Sequence, residues 1–217
     1  MWISKNEQID FWHFAVMDRT QIEHLFSTPR VGKYFEYANT RGLEPWGLYC
    51  DNLRRSASWW TQIAMIEVAV RNKVDQALAH KYADRFWFDN LAFSADLSKT
   101  VYVKFARDLD HGRREINDSA DAVISSLSMG FWGALLHSNL ESKLWSPAIS
   151  KQFTVGTRRH ELHRAFTELR QIRNRIAHHE SLLQITNADF AKAVSIVSMA
   201  LGPEFQQLLK ECSRRGA

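Results

Sequence analysis

Twenty-three consecutive residues, 157–179, contain neither glycine nor proline, and within them Leu162, Ala165, Phe166, Leu169, Ile172 and Ile176 recur every three or four positions. That interval draws one apolar stripe along an α-helix, whereas a strand would need alternation. The stretch is therefore predicted to be a long amphipathic helix with its stripe buried. A second run, 46–82, carries Ile63, Ile66, Val70, Val74, Ala77 and Leu78 at the same interval, and a single break is expected near Ser56-Ala57-Ser58. With only 9 Gly and 4 Pro in 217 residues, and no strand pattern to compete, the chain is predicted to be all-α. Its 45% hydrophobic content is enough for one sizeable core.

The flanking elements follow from caps and breakers. Asp18 or Thr20 starts a short helix through Phe26, and Thr28-Pro29 reads as a cap and first-turn proline for a helix to about Tyr37. Phe86-Trp87-Phe88 suits a packing turn, 97–116 a helix, and 119–127 a short helix with a serine cap. Gly130 and Gly133 mark a bend, after which Trp132, Leu135, Leu136, Leu140 and Leu144 line a segment ending before Pro147. Residues 146–156 form a loop, Asn187 caps a helix to about Leu201, and Pro203 opens a last helix through Cys212. One domain over 1–217 is expected: an amino-terminal helical extension at 1–44, a core at 45–205, and a helix end and tail at 206–217.

Two cysteines far apart, Cys50 and Cys212, make neither a disulfide framework nor a metal finger, which fits a reducing cytoplasm. The sequence from Met1 to Glu7 has no basic leader followed by an apolar run, and no apolar stretch reaches membrane-spanning length, so no membrane association is expected. His160-x-x-His163 lacks companion ligands, and His80, His111 and His137 are scattered, so no metal site is predicted. Glycine-rich phosphate loops, the Gly-x-Ser-x-Gly elbow and His-Glu-x-x-His are also missing. Trp59, Trp60 and Trp132 are expected in the core, and Trp2, Trp12 and Trp46 at a partner interface.

The chemistry concentrates on the predicted helix at 157–179. Arg170, Asn174 and His178 follow one another at i, i+4 steps along a ridge, with Arg173 on its flank. Arginine holds phosphate at any pH and imidazole exchanges a proton near neutrality, a combination suited to phosphodiester cleavage. From Lys151 to Glu180 seven Lys/Arg face three Glu, a net +4 equal to the excess of the whole chain, so an anionic partner is expected. Arg173 and His178 point about 140° apart on a regular helix, and a two-fold dimer setting the ridge against its copy would unite two such pairs. Glu67 and Arg71, at i, i+4, are either an intrahelical ion pair or part of the same site.

Arg173-Asn174-x-x-x-His178 is similar to the arginine-to-histidine signature of HEPN domains, and Ile172-Arg173-Asn174-Arg175-Ile176-Ala177-His178-His179 resembles the Abi-like (AbiD/AbiF, abortive infection) branch. Ile66-Glu67-Val68-Ala69-Val70-Arg71-Asn72-Lys73-Val74, then Ala79-His80-Lys81-Tyr82, is similar to that family's first core helix, and Leu127-Ser128-Met129-Gly130-Phe131-Trp132 to its mid-chain turn. The likeness spans roughly residues 45–205. It implies a HEPN-like helical bundle with additional peripheral helices, usually dimeric. The implied activity is metal-independent and cofactor-free RNA cleavage, in antiphage abortive infection or as the toxin of a toxin-antitoxin pair. By the same resemblance Arg173 binds the scissile phosphate, His178 acts as general acid or base, and Asn174 orients the reacting groups. Glu67 and His179 support them, and His179 also meets the permitted spacing. Arg170, Arg175 and Arg71 complete the RNA-binding set. Partners implied are RNA, a second copy, and an antitoxin protein or small RNA. The alternatives are a non-catalytic HEPN module that binds RNA or protein, and a purely structural helical dimer.

Overall fold

In the computed structural model, which describes residues 18–97, 99–115 and 119–215, every regular element is helical, and among these residues there is no strand. The chain divides into two units, Met1–Leu53 and Arg54–Ala217.

In the first unit Asp18 is the residue that opens α1 (Arg19–Phe26). Its carboxylate accepts the Thr20 N–H at 2.6 Å while the Gln21 side chain accepts the Asp18 N–H at 3.1 Å, a closed capping box. Helix α2 (Thr28–Asn39) carries Pro29 in its first turn, with Ser27 rather than Thr28 at the cap position. The rings of Phe26, Tyr34, Trp46 and Tyr49 pack with centroids 5.2–5.4 Å apart. Trp46 is thus part of this aromatic cluster; Trp2 and Trp12 lie outside the described residues.

Pro45 begins α3 (Pro45–Tyr82), 38 residues long, which belongs to the first unit through Leu53 and to the second from Arg54. The break expected at Ser56-Ala57-Ser58 is not there. Serine disfavours a helix by less than about 0.7 kcal/mol. Against that, burial of Trp59, Ile63, Ile66, Val70 and Val74 on one stripe recovers more than about 1.5 kcal/mol per side chain.

In the second unit the Trp87–Asp89 turn is followed by α4 (Leu91–Asp96), α5 (Lys99–Glu115), α6 (Ala120–Ser126) and α7 (Met129–Leu135). Three short turns lead to α8 (Arg159–Ala177), and α9 (Asn187–Leu201) and α10 (Pro203–Arg215) complete the chain. The helix expected over 97–116 starts at Lys99 because the chain is pinned just before it. Tyr82 Oη and Lys81 Nζ donate to the Asp96 carboxylate at 2.8 and 3.3 Å, and Lys143 Nζ donates to its carbonyl at 3.1 Å. Ile116 lies outside the described residues. Gly130 and Gly133, expected at a bend, lie inside α7, where Ser128 caps the Phe131 N–H and buried Phe131, Trp132 and Leu135 outweigh the glycine cost of about 1 kcal/mol each. Thr186, not Asn187, caps α9, through a capping box with Asp189. Residues 146–156 include a helical turn at Ile149–Gln152, and α10 runs past Cys212 to Arg215.

The core gathers Trp87, Phe93, Phe105, Phe131 and Trp132, with Trp59 stacked on Phe190 at 4.2 Å. The α8 stripe, Leu162, Ala165, Phe166, Leu169 and Ile172, is buried as its spacing requires. Trp60 is the exception among the tryptophans expected in the core: it is 40% exposed. Among the described residues no helix is long and apolar enough to cross a membrane.

Candidate functional site

Burial of Leu169 and Ile172 fixes the rotation of α8 and turns Arg170, Arg173 and Asn174 out of the core. The three line a cavity of about 350 Å³, together with Glu67 of α3 and residues 125–130, which join α6 to α7. Three stretches far apart in sequence therefore meet at one cavity: the α3 segment with Glu67, the Ser128-Met129-Gly130 turn, and Arg173-Asn174.

Charge pairing separates the basic residues of this segment. Arg158 pairs with Glu161 at 3.1 Å, Arg159 with Glu141 at 3.0 Å, Arg164 with Glu168 at 3.5 Å and Arg175 with Glu180 at 3.5 Å. Among the described residues Arg170 and Arg173, the two arginines of α8 that line the cavity, have no carboxylate within ion-pairing distance. The Arg173 guanidinium carbon lies 5.3 Å from the centroid of the Trp60 ring, and its Nε is buried without an acceptor, as is Nε of Arg71. An unmet buried donor costs roughly 1–3 kcal/mol, which an incoming oxyanion would relieve.

Glu67 shares this environment. Burial pushes its carboxyl above the ordinary carboxylate range, against the opposing pull of Arg173 and then Arg71. Neither arginine closes a direct ion pair on it, so the simple intrahelical Glu67–Arg71 bridge is not formed. A carboxyl held toward its protonated form beside arginines suits proton transfer.

The remaining residues of the predicted set stand at the end of α8. His178 is the C-cap, its N–H donating to the Asn174 carbonyl at 3.0 Å. His179 donates to Ile176 at 2.9 Å and Glu180 to Arg175 at 2.7 Å, the paired bonds of a Schellman ending. His179 takes φ 54°, the left-handed conformation that glycine usually supplies at this position. Both histidines are exposed and neither lines the cavity. Arg175 faces another hollow with Arg164, Glu168, Asp189 and Lys192. Within one chain, then, Glu67, Arg170, Arg173 and Asn174 line one cavity with Arg71 near Glu67, and His178, His179 and Arg175 are not among its lining residues.

Trp60 is the site residue that sequence reasoning placed elsewhere. The signal was present: Trp60, Glu67 and Arg71 stand at i, i+7 and i+11, one helical face, while Trp59 falls into the buried stripe with Ile63 and Ile66. Adjacent residues on a helix point about 100° apart, and of this pair only Trp59 lies on the buried stripe. Among the described residues no three His, Cys, Asp or Glu side chains cluster to hold a metal ion, and Cys50 and Cys212 are free thiols. Compared with family models, with curated proteins and with solved structures, the chain gives no match.

Proposed function

We propose that this chain is a metal-independent endoribonuclease of the HEPN type, working in the cytoplasm in antiphage abortive infection or as the toxin of a toxin-antitoxin pair. The observation that carries this reading is that, among the described residues, the two α8 arginines lining the cavity close no direct ion pair, while their neighbours along the helix are paired. Arginines so placed on a cavity, beside an asparagine and a carboxyl of raised pKa, suit a phosphodiester.

In this reaction a base takes the ribose 2′-hydroxyl proton and the 2′-oxygen attacks phosphorus. The bond to the 5′-oxygen breaks, and that oxygen receives a proton from an acid, leaving a 2′,3′-cyclic phosphate and a 5′-hydroxyl. Arg173 stabilises the charge gathering on the non-bridging oxygens, and Asn174 orients the ribose or phosphate. His178 and Glu67 fill the two proton-transfer roles. His178 lies outside the cavity lining of its own chain, so the mechanism calls for a homodimer in which the α8 end of one copy meets the cavity of the other. The same position of His178 favours a second reading, a HEPN-like module that holds RNA without cutting it.

The deciding experiment incubates a loop-containing RNA with the protein in excess EDTA. Cleavage that survives chelation, and that falls roughly 100- to 10,000-fold in folded, dimeric His178→Ala, supports the ribonuclease. Intact RNA bound in a salt-dependent manner supports the module. Neither cleavage nor binding overturns both. Trp60→Ala is expected to weaken RNA binding by about two- to fivefold, the equivalent of a cation–π contact of about 0.5–1 kcal/mol, with Trp60→Phe in between. Unchanged affinity by fluorescence anisotropy would remove Trp60 from the site.

A further inference from the structure

The imidazoles of His137 and His163 stand with ring centroids 5.5 Å apart and planes at 89°. His137 follows α7, and its Nδ1 accepts the Asn139 N–H at 3.3 Å, capping the turn Ser138–Leu140. With Nδ1 so engaged, the proton of the neutral ring is assigned to Nε2, which is left as a donor. His163 lies on α8 one turn after Arg159 and two turns before Arg170. Arg159 is committed elsewhere: Nη1 donates to the Leu136 carbonyl at 2.9 Å and Nε to Glu141 at 3.0 Å. Of the carboxylates near this end of α8, Glu141 is thereby held by Arg159, and Glu161 is paired with Arg158 at 3.1 Å. What remains is two imidazoles and Arg170, whose charge reaches His163 and whose side chain also lines the Arg173 cavity.

We propose that His137, His163 and Arg170 form a second phosphate subsite, which seats a neighbouring phosphodiester of the strand whose scissile phosphate lies on Arg173. The proposal rests on the RNA reading above. Arg170 is the bridge between the two positions, and the ridge from His163 to Arg173 runs about 15 Å along α8, the dimension of an extended segment rather than of one phosphate. Few single metabolites would span it; a strand does.

The subsite has a proton built into its chemistry. Burial first, then electrostatic interaction with His137 and with the Arg159 and Arg170 guanidiniums, holds the His163 imidazole below its ordinary range, so it is neutral in the free protein at pH 7. An arriving phosphate adds the opposite charge to the same surroundings and raises the proton affinity of the ring. Binding therefore takes up a proton, and affinity rises as pH falls, by at most about tenfold per pH unit for one proton.

The test compares wild-type protein, His163→Gln and Arg173→Ala, using a 2′-O-methylated single-stranded RNA that cannot be cleaved and, separately, inorganic pyrophosphate. Anisotropy is read at about pH 6 and about pH 7.5 at constant ionic strength, and the imidazole NMR signals are titrated with each ligand. We expect RNA affinity to rise several-fold at the lower pH. His163→Gln should lose most of that rise. The His163 signal should titrate at higher pH in the presence of RNA. If His163→Gln keeps the wild-type pH dependence while Arg173→Ala abolishes RNA binding, the subsite is overturned and the RNA reading stands. If pyrophosphate moves the His163 titration but RNA does not bind, the site belongs to a free phosphate compound and the strand is overturned.

Discussion

Replacing Arg173 by alanine is expected to lower the cleavage rate about 100- to 1,000-fold, the usual loss when a group that stabilises transition-state charge is deleted. Folding free energy should change by less than about 1 kcal/mol. The two expectations come from the same contacts. Arg173 has no carboxylate partner among the described residues and keeps a buried Nε without an acceptor, so in the free protein it contributes little beyond its stack on Trp60. Truncation removes an unmet donor along with a cation–π contact of about 0.5–1 kcal/mol, and the two nearly cancel. Arg173→Lys should be almost as inactive, because a point charge on a flexible stem reproduces neither the planar fork nor the stack. Single-turnover cleavage and urea unfolding of both variants check this. A fully active Arg173→Ala would transfer the phosphate role to Arg170, and an unfolded one would make Arg173 a structural residue.

Much of the cavity was legible in advance because helical spacing is a strict geometric rule. Once Leu162, Phe166, Leu169 and Ile172 are buried, Arg170, Arg173 and Asn174 have no choice but to face outward, and the stripe alone says so. Glu67 and the Ser128 turn were reached by resemblance, and their arrival at the same cavity as Arg173 depends on packing that no local pattern encodes. Local propensity misled where it was weak. Ser56-Ala57-Ser58 and the glycines of α7 each disfavour helix by about a kcal/mol or less, and the buried stripe running through them decides the outcome. The ending of α8 was hidden for a different reason. Ala177-His178-His179 continues the helical composition, and the helix stops there because His179 adopts a left-handed φ, a choice fixed by the Glu180 N–H reaching the Arg175 carbonyl. The His137–His163 pair was invisible because it joins a turn to a helix across the fold, where periodicity carries no information.

The largest loss of stability is expected at a residue of α3 that does not line the cavity. Asp75 is a buried carboxylate on α3. One oxygen accepts the indole N–H of Trp87 at 2.8 Å and the other accepts from Arg85 Nη1 at 2.6 Å, while Arg85 Nη2 donates to Asp121. Asp75→Ala should destabilise the second unit by about 2–4 kcal/mol, most of it from leaving the fully buried Trp87 N–H without an acceptor. Arg85 contributes less to that figure, since its side chain is 45% exposed and can turn to water and to Asp121. Asp75→Asn keeps an acceptor for the indole and gives up the charge, so it should cost only about 1 kcal/mol. Urea midpoints separate the two effects: equal losses in Ala and Asn would assign the stability to the Arg85 pair instead. The consequence reaches the candidate site through the aromatic core. Trp87 lies against Phe131 and Trp132 of α7, and α7 continues directly from the Ser128 turn that forms one wall of the cavity. A loosened Trp87 therefore loosens that wall, and Asp75→Ala should weaken RNA binding at temperatures below its own unfolding, in proportion to the stability lost, while Asp75→Asn should bind as wild type.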